Sequence, residues 1–317
     1  MSLLEASKTY KPFHYPWAVE LTRKHEEIHW TEDEADLSED IQDWKIKLSE
    51  NEKDFITNIL RLFTQSDAQV GQNYYDYLIP RIKNNETRVM LGSFASREGT
   101  HQRAYALLND TLGLPDEEFH KFLEYKEMSD KIDFMQDNNI DTKQGMALAL
   151  AKSVFSEGVS LFASFVMLLN FQRFGKMKGM NTIVEWSIRD ETLHVEGNAA
   201  LFQTFCKENP EIVNDEFKAK IYSMARRIVE LEDRFIDLAF NGGAQQGITA
   251  QEVKTYIRLV TNRRLKQLGL KNNYPDEKNP FDWLEWILNG VSHDNFFEKR
   301  VTEYSVNGMS GDWGYDA

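Results

Sequence analysis

From Ser49 onward the apolar positions recur every three or four residues. In SENEKDFITNILRLFTQSDAQV, the residues Phe55, Ile56, Ile59, Leu60 and Phe63 fall on one face of a helix. Ser49 followed by Glu50 and Glu52 is an acidic start suited to a helix N-terminus. The same periodicity predicts helices over about 72–83, 86–109, 143–175, 182–207, 212–240, 250–267 and 280–289, with a further one opening at Pro115. No stretch alternates as a strand would, and no heptad pattern lasts long enough for a coiled coil. Pro12 and Pro16 discourage regular structure in the first 40 residues. The last residues, TEYSVNGMSGDWGYDA, are glycine-rich and aperiodic and read as a flexible tail. The expected fold class is all-α.

Composition narrows the function. A net charge of −14 lacks the electrostatic footprint of a general nucleic-acid binder. The one cysteine, Cys206, rules out an intramolecular disulfide and a thiolate metal cage. The N-terminal segment has no long apolar core, so no signal peptide is expected. The longest apolar stretch, Leu161 to Leu169, suits a core helix better than a membrane span. A cytoplasmic location is the default expectation, with no nucleic-acid or membrane partner.

The acids carry the chemistry. Glu157 stands in SVFSEGVSLFASFVMLL, and no Lys or Arg occurs between Ser153 and Gln172. Burying an unpaired carboxylate there costs several kcal/mol or more, on the order set by ion desolvation. The bland alternative is a glutamate on the solvent face. Glu-x-x-His, which puts both side chains on one helix face, occurs as Glu26/His29, Glu98/His101, Glu117/His120 and Glu191/His194. The first lies in a charge run, and the third follows Pro115, where an acid suits a helix start. Only Glu98/His101 and Glu191/His194 fall well inside predicted helices.

Spacing joins these signals. Asp67 precedes Glu98 by 31 residues and Glu157 precedes Glu191 by 34. Two antiparallel helix pairs, each bringing a lone carboxylate level with Glu-x-x-His, would build a four-helix bundle. At its centre would lie Asp67, Glu98, His101, Glu157, Glu191 and His194, the ligand pattern of a ferritin-like dinuclear carboxylate site. Two divalent ions would balance four carboxylates. Oxygen and imidazole donors without thiolate suit iron or manganese more than soft metals; the expected cofactor is two metal ions, iron first, with manganese or a mixed manganese/iron pair as alternatives.

Between Trp30 and Tyr304 the chain resembles the small, radical-generating subunit of class I ribonucleotide reductase. The resemblance rests most heavily on Glu98-x-x-His101-x-x-x-Tyr105 and on Arg189-Asp190-Glu191-Thr192-Leu193-His194. It implies that the six residues bind two metal ions and that Tyr105, one turn beyond His101, is oxidised to a radical with oxygen or an activated oxygen species. It further implies a radical relay through Trp30, Asp190 and Tyr304 to a separate large subunit that reduces ribonucleotides. Asp190 would hydrogen-bond both His101 and Trp30. Tyr315 is the rival to Tyr304, and Glu298 resembles an acid of the family's tail.

By the same resemblance the chain comprises an N-terminal arm (1–40), a ferritin-like domain (41–290) and a tail (291–317) that docks on the large subunit through Trp313 and Tyr315. A homodimer is implied too. Leu161 departs from the family, which often has an aromatic there, and Phe165 one turn on is the candidate to fill the space. No glycine-rich phosphate loop is present, so the chain is expected to bind no nucleotide substrate. The rival readings are another ferritin-like dinuclear oxidase, such as a ligand-binding oxidase or a fatty-acyl desaturase, and a metal-storage protein without radical chemistry.

Overall fold

Helices start where the sequence supplies caps. Ser49 and Glu52 form a reciprocal capping box at α2 (Glu50–Asn73), and Thr249 and Glu252 do so at α9 (Ala250–Gln267). Asn84 caps α3 (Asn85–Leu112), which ends on left-handed Gly113, and Asn214 caps α8 (Asp215–Ala239). The computed structural model describes residues 2–284 apart from 137. Among these it is helical, with no strand. Residues Met1–Pro280 form one unit, which contains the whole bundle. The tail, and most of the helix predicted over 280–289, lie outside the described residues.

Two predicted breaks are absent. The helix expected over 72–83 continues α2, passing through a π-helical turn, Tyr74–Leu78, to Ile79–Arg81. The N-terminal segment, expected to be irregular, contains α1 (Pro16–Glu27). Pro16 occupies the first turn of α1, where its missing N–H costs nothing and its fixed φ helps. Glu86 anchors the entry to α1 by accepting from the backbone N–H groups of His14 and Tyr15.

The bundle core is made of two pairs. The loop 82–84 folds α2 back on α3, and α5 (Lys143–Phe155) packs along α7 (Lys178–Glu208). The chain from α5 reaches α6 (Phe162–Leu169) through a second π-helical turn, Ser156–Ser160. The run Lys143–Phe174 is long and apolar enough to cross a membrane, but its most apolar window is wholly buried inside the protein. It is the central helix of the core. No side chain of its own flanking residue caps α7. Asp40 instead accepts from the N–H groups of Gly179 and Met180 at 2.8 and 2.9 Å, and Asp43 from that of Met177 at 2.8 Å. The acidic N-terminal region thereby fixes the helix that carries Glu191 and His194.

The second π turn is pinned by buried cations. Arg264 of α9 donates to the Gly158 carbonyl at 2.9 Å, and Lys131 of α4 (Lys126–Gln136) donates to that of Ser160 at 3.1 Å. Gly158 is required, because a Cβ there would lie 2.5 Å from Arg264 Nε. Lys131 also pairs with buried Glu232 at 2.5 Å and lies over the Phe235 ring. Removing one partner of such a pair strands a buried charge. Lys131→Met is therefore expected to destabilise the protein by about 3–5 kcal/mol, whereas Lys131→Met with Glu232→Leu should regain most of that. Chemical denaturation of both variants measures the difference.

Candidate metal centre

Asp67 on α2, Glu98 and His101 on α3, Glu157 in the second π turn and Glu191 and His194 on α7 are all buried, none more than 1% exposed. The structure brings all six together. Ligand atoms of Asp67, Glu98 and His101 lie within 4.8 Å of one another, as do those of Glu98, Glu157, Glu191 and His194. Glu98 turns Oε2 toward His101 Nδ1 (3.4 Å) and Oε1 toward His194 Nδ1 (2.9 Å). Glu191 does the same, with Oε1 3.3 Å from His101 Nδ1 and Oε2 3.6 Å from His194 Nδ1. Two glutamates thus offer one oxygen to each of two positions, with Asp67 on one flank and Glu157 on the other. The Glu26/His29 and Glu117/His120 pairs lie at the surface, outside these groups.

The residues fit a pair of cations. Both carboxylate oxygens of Asp67, Glu98 and Glu191, and Nδ1 of His194, are buried without a hydrogen-bond partner. Unpaired polar atoms are rare in a core and costly in such number. The buried protein cations among the described residues are committed elsewhere: Arg97 to Asp190, Lys131 to Glu232, Lys152 to the Phe134 carbonyl and Arg264 to the Gly158 carbonyl. Burial pushes the Asp67 carboxyl well above its ordinary range and Glu157 up to about 7. Burial alone would depress His101, but the hydrogen bond to Asp190 and the nearby carboxylates of Glu191 and Glu98 carry it well up. Without metal the cluster therefore holds protons.

Around these six lies a layer that orients them. His101 turns Nε2 to Asp190 Oδ2 (3.1 Å), which also accepts from Trp30 Nε1 (2.7 Å) and Arg97 Nη1 (2.9 Å). Both expected contacts of Asp190 are present. Burial opposes its ionisation, but the bond to His101, its charge and the Arg97 guanidinium hold the carboxyl well below the usual range. Trp30 is 2% exposed and stacks on His101. Tyr105 is fully buried and donates to Ser187 Oγ at 3.1 Å. Burial first, and then the charge of Asp67, push its pKa well up, so the phenol keeps its proton. Leu161 is buried, and Phe165 packs on Phe63, which packs on Tyr105. Phe165 thus reaches the tyrosine through one intervening ring. Tyr304, Tyr315, Trp313 and Glu298 lie outside the described residues.

Four contributors are not evident in the sequence. Tyr74, first residue of the Tyr74–Leu78 π turn, donates to Glu157 Oε2 at 2.7 Å, and Asn198 donates to both groups. Asn198 is one turn after His194, a spacing that could have flagged it. Arg97 directly precedes Glu98. His25 places Nε2 3.1 Å from His194 Nε2 and Nδ1 2.8 Å from Ser93 Oγ. It is hidden in the same charge run as Glu26 and His29.

Fold and site define a ferritin-like helical protein with a carboxylate–histidine cluster that could hold a dinuclear metal centre. The family model "Ribonucleotide reductase, small chain" matches residues 7–280. The chain belongs to that family, whose members are subunits of an oxidoreductase. It is 42% identical to a probable ribonucleoside-diphosphate reductase small subunit of Invertebrate iridescent virus 3, over 99% of this chain and 88% of that one. Among solved structures, the dimanganese(II) NrdF of Streptococcus sanguinis has a TM-score of 0.79 at 22% identity, covering 90% of this chain and 99% of that one. The Rnr4 homodimer of Saccharomyces cerevisiae has a TM-score of 0.76 at 20% identity, covering 96% and 92%.

Ligands must shed protons to bind metal. Loading the metal-free protein is therefore expected to release protons near neutral pH, and affinity should fall as the pH drops through the Glu157 value of about 7. An indicator dye in weak buffer reads the release. Because Glu98 faces both positions, Glu98→Ala should lose both ions, whereas Asp67→Ala should keep one. Metal analysis after gel filtration separates the two.

Proposed function

We propose that this chain is the radical-generating subunit of a ribonucleoside-diphosphate reductase, with Tyr105 as the residue oxidised. The observation that carries the reading is the shared orientation of Glu98 and Glu191, each presenting one oxygen to each histidine. Asp67, Glu98, His101, Glu157, Glu191 and His194 hold the two ions. Iron is the first choice and manganese or a mixed pair the alternative; donors that are all oxygen and nitrogen suit these metals over soft ones. When bound, the pair supplies the oxidising power for Tyr105, drawing on oxygen or an activated oxygen species.

The chain's own residues do the rest. Tyr105 gives up its electron together with the hydroxyl proton, because a phenolate is disfavoured in so dry a setting. Phe63 and Phe165 keep water from the ring. Asp190 fixes His101 with Nδ1 toward the cluster and ties it to Trp30 through hydrogen bonds. Trp30, Asp190 and, from the tail, Tyr304 carry the oxidising equivalent to the large subunit, where the ribonucleotide is reduced. Residues 291–317 dock on that partner, 41–290 form the ferritin-like domain, 1–40 the arm, and the subunit works as a cytoplasmic homodimer. A desaturase-like oxidase or a storage protein has no use for the Trp30–Asp190–His101 chain.

Electron paramagnetic resonance on metal-free protein loaded with iron(II), or separately manganese(II), and exposed to oxygen tests this. A tyrosyl doublet is expected, lost in Tyr105→Phe; a doublet surviving that substitution excludes Tyr105. Trp30→Phe is expected to retain the doublet while ribonucleotide reduction with the large subunit falls to background.

A further inference from the structure

The two histidines of the cluster are held from behind by partners of unlike charge. Behind His101 stands Asp190, an anion with several donors. Behind His194 stands another imidazole, His25 of α1, 1% exposed and with no carboxylate among its hydrogen-bond partners. To bind an ion through Nδ1, His194 must carry its proton on Nε2. That proton points at His25 Nε2, 3.1 Å away, which must therefore be the unprotonated nitrogen. The His25 proton then sits on Nδ1 and is donated to Ser93 Oγ at 2.8 Å. One tautomer satisfies every contact. The His25 ring is held edge-on to Phe94, and Phe94 packs on His194 in turn. That close approach needs Gly197, where a Cβ would lie 2.6 Å from the Phe94 ring.

We propose that His25 is a positioning residue for His194, fixing its tautomer and ring angle as Asp190 does for His101, and that it makes the two metal positions unequal. This rests on the dinuclear reading above. An anionic partner makes an imidazole a stronger donor to metal, and a neutral one leaves it weaker. The position at Asp67 and His101 should therefore fill first, and that at Glu157 and His194 second. α1 and the residues just after it thus serve both histidines, one through His25 and the other through Trp30.

The test is a manganese(II) titration of the metal-free protein, followed by the resonance of the free ion, with thermal melting as a check on folding. The native protein is expected to take up two ions in two steps. His25→Phe keeps an aromatic ring but offers no acceptor, and should weaken the second step by about 10–100-fold while leaving the first unchanged. His25→Ala should show the same loss. Added imidazole should reverse it, because an open depression of about 550 Å³ lined by His25, His29, Ser93 and Arg97 leads to the vacated space. Imidazole should not rescue His25→Phe. A Phe variant that binds the second ion as tightly as native, or one in which both steps weaken in parallel, overturns the assignment of His25. A native protein that takes up no pair of ions would instead defeat the dinuclear reading itself.

Discussion

Four buried carboxylates facing one another in an apolar bundle form the constraint on which the rest of the structure depends. Two unit charges about 4 Å apart interact by about 4 kcal/mol even at an effective dielectric of 20, so the cluster repels itself strongly unless cations or protons intervene. The core is not short of positive charge. Arg97, Lys131, Lys152 and Arg264 are all buried, and each is bound to another group. The protein thus neutralises Asp190 and Glu232 with its own cations and leaves Asp67, Glu98 and Glu191 with bare oxygens. That selective neglect is the physical signature of a site shaped for metal.

The carboxylates do not share one kind of backbone. Asp67, Glu98 and Glu191 stand on regular α-helix, where neighbouring turns fix their direction. Glu157 stands in a π-helical turn, and its hydrogen-bond partner Tyr74 opens another such turn. Wide turns of this kind cluster at functional sites because an inserted residue re-aims a side chain without ending the helix. Here the two turns meet at the Tyr74–Glu157 bond. Glu157 is also the carboxylate of the four whose oxygens accept hydrogen bonds, from Tyr74 and Asn198. One flank of the cluster is bare, and the other is tethered.

What is legible in the sequence follows from this geometry. Regular helix obeys a fixed period, so Glu98/His101 and Glu191/His194 stand out as pairs, and the 31- and 34-residue spacings stand out as hairpins. The helix expected at about 250–267 is found at Ala250–Gln267, where a capping box also marks its start. Irregular features leave no periodic trace. The π turns are invisible to periodicity, which therefore splits α2 near residue 72 and makes 143–175 look uniform. Pro16 misleads because a proline excludes a helix interior yet favours a first turn, and only the chain's path tells which applies. His25 and Tyr74 act through contacts between elements distant in sequence, 169 residues apart for His25 and His194. One chain without structure cannot show such contacts.

The N-terminal region therefore belongs to the site rather than standing beside it. Asp40 and Asp43 cap the helix bearing Glu191 and His194, Trp30 meets Asp190, and the Ile28 carbonyl accepts from both Arg97 and Arg189. Each of these contacts would be satisfied by water if the segment were detached, and the cluster would lose its dry wall on that side. A bundle of α2, α3, α5 and α7 could position four carboxylates and two histidines without help. It could not fix the second nitrogen of His194, whose partner His25 stands on α1, whereas that of His101 meets Asp190 of α7, which Trp30 only supports from the N-terminal side. The ligands come from the bundle, and the stretch of chain that precedes it supplies the partner of His194 and the indole that supports Asp190.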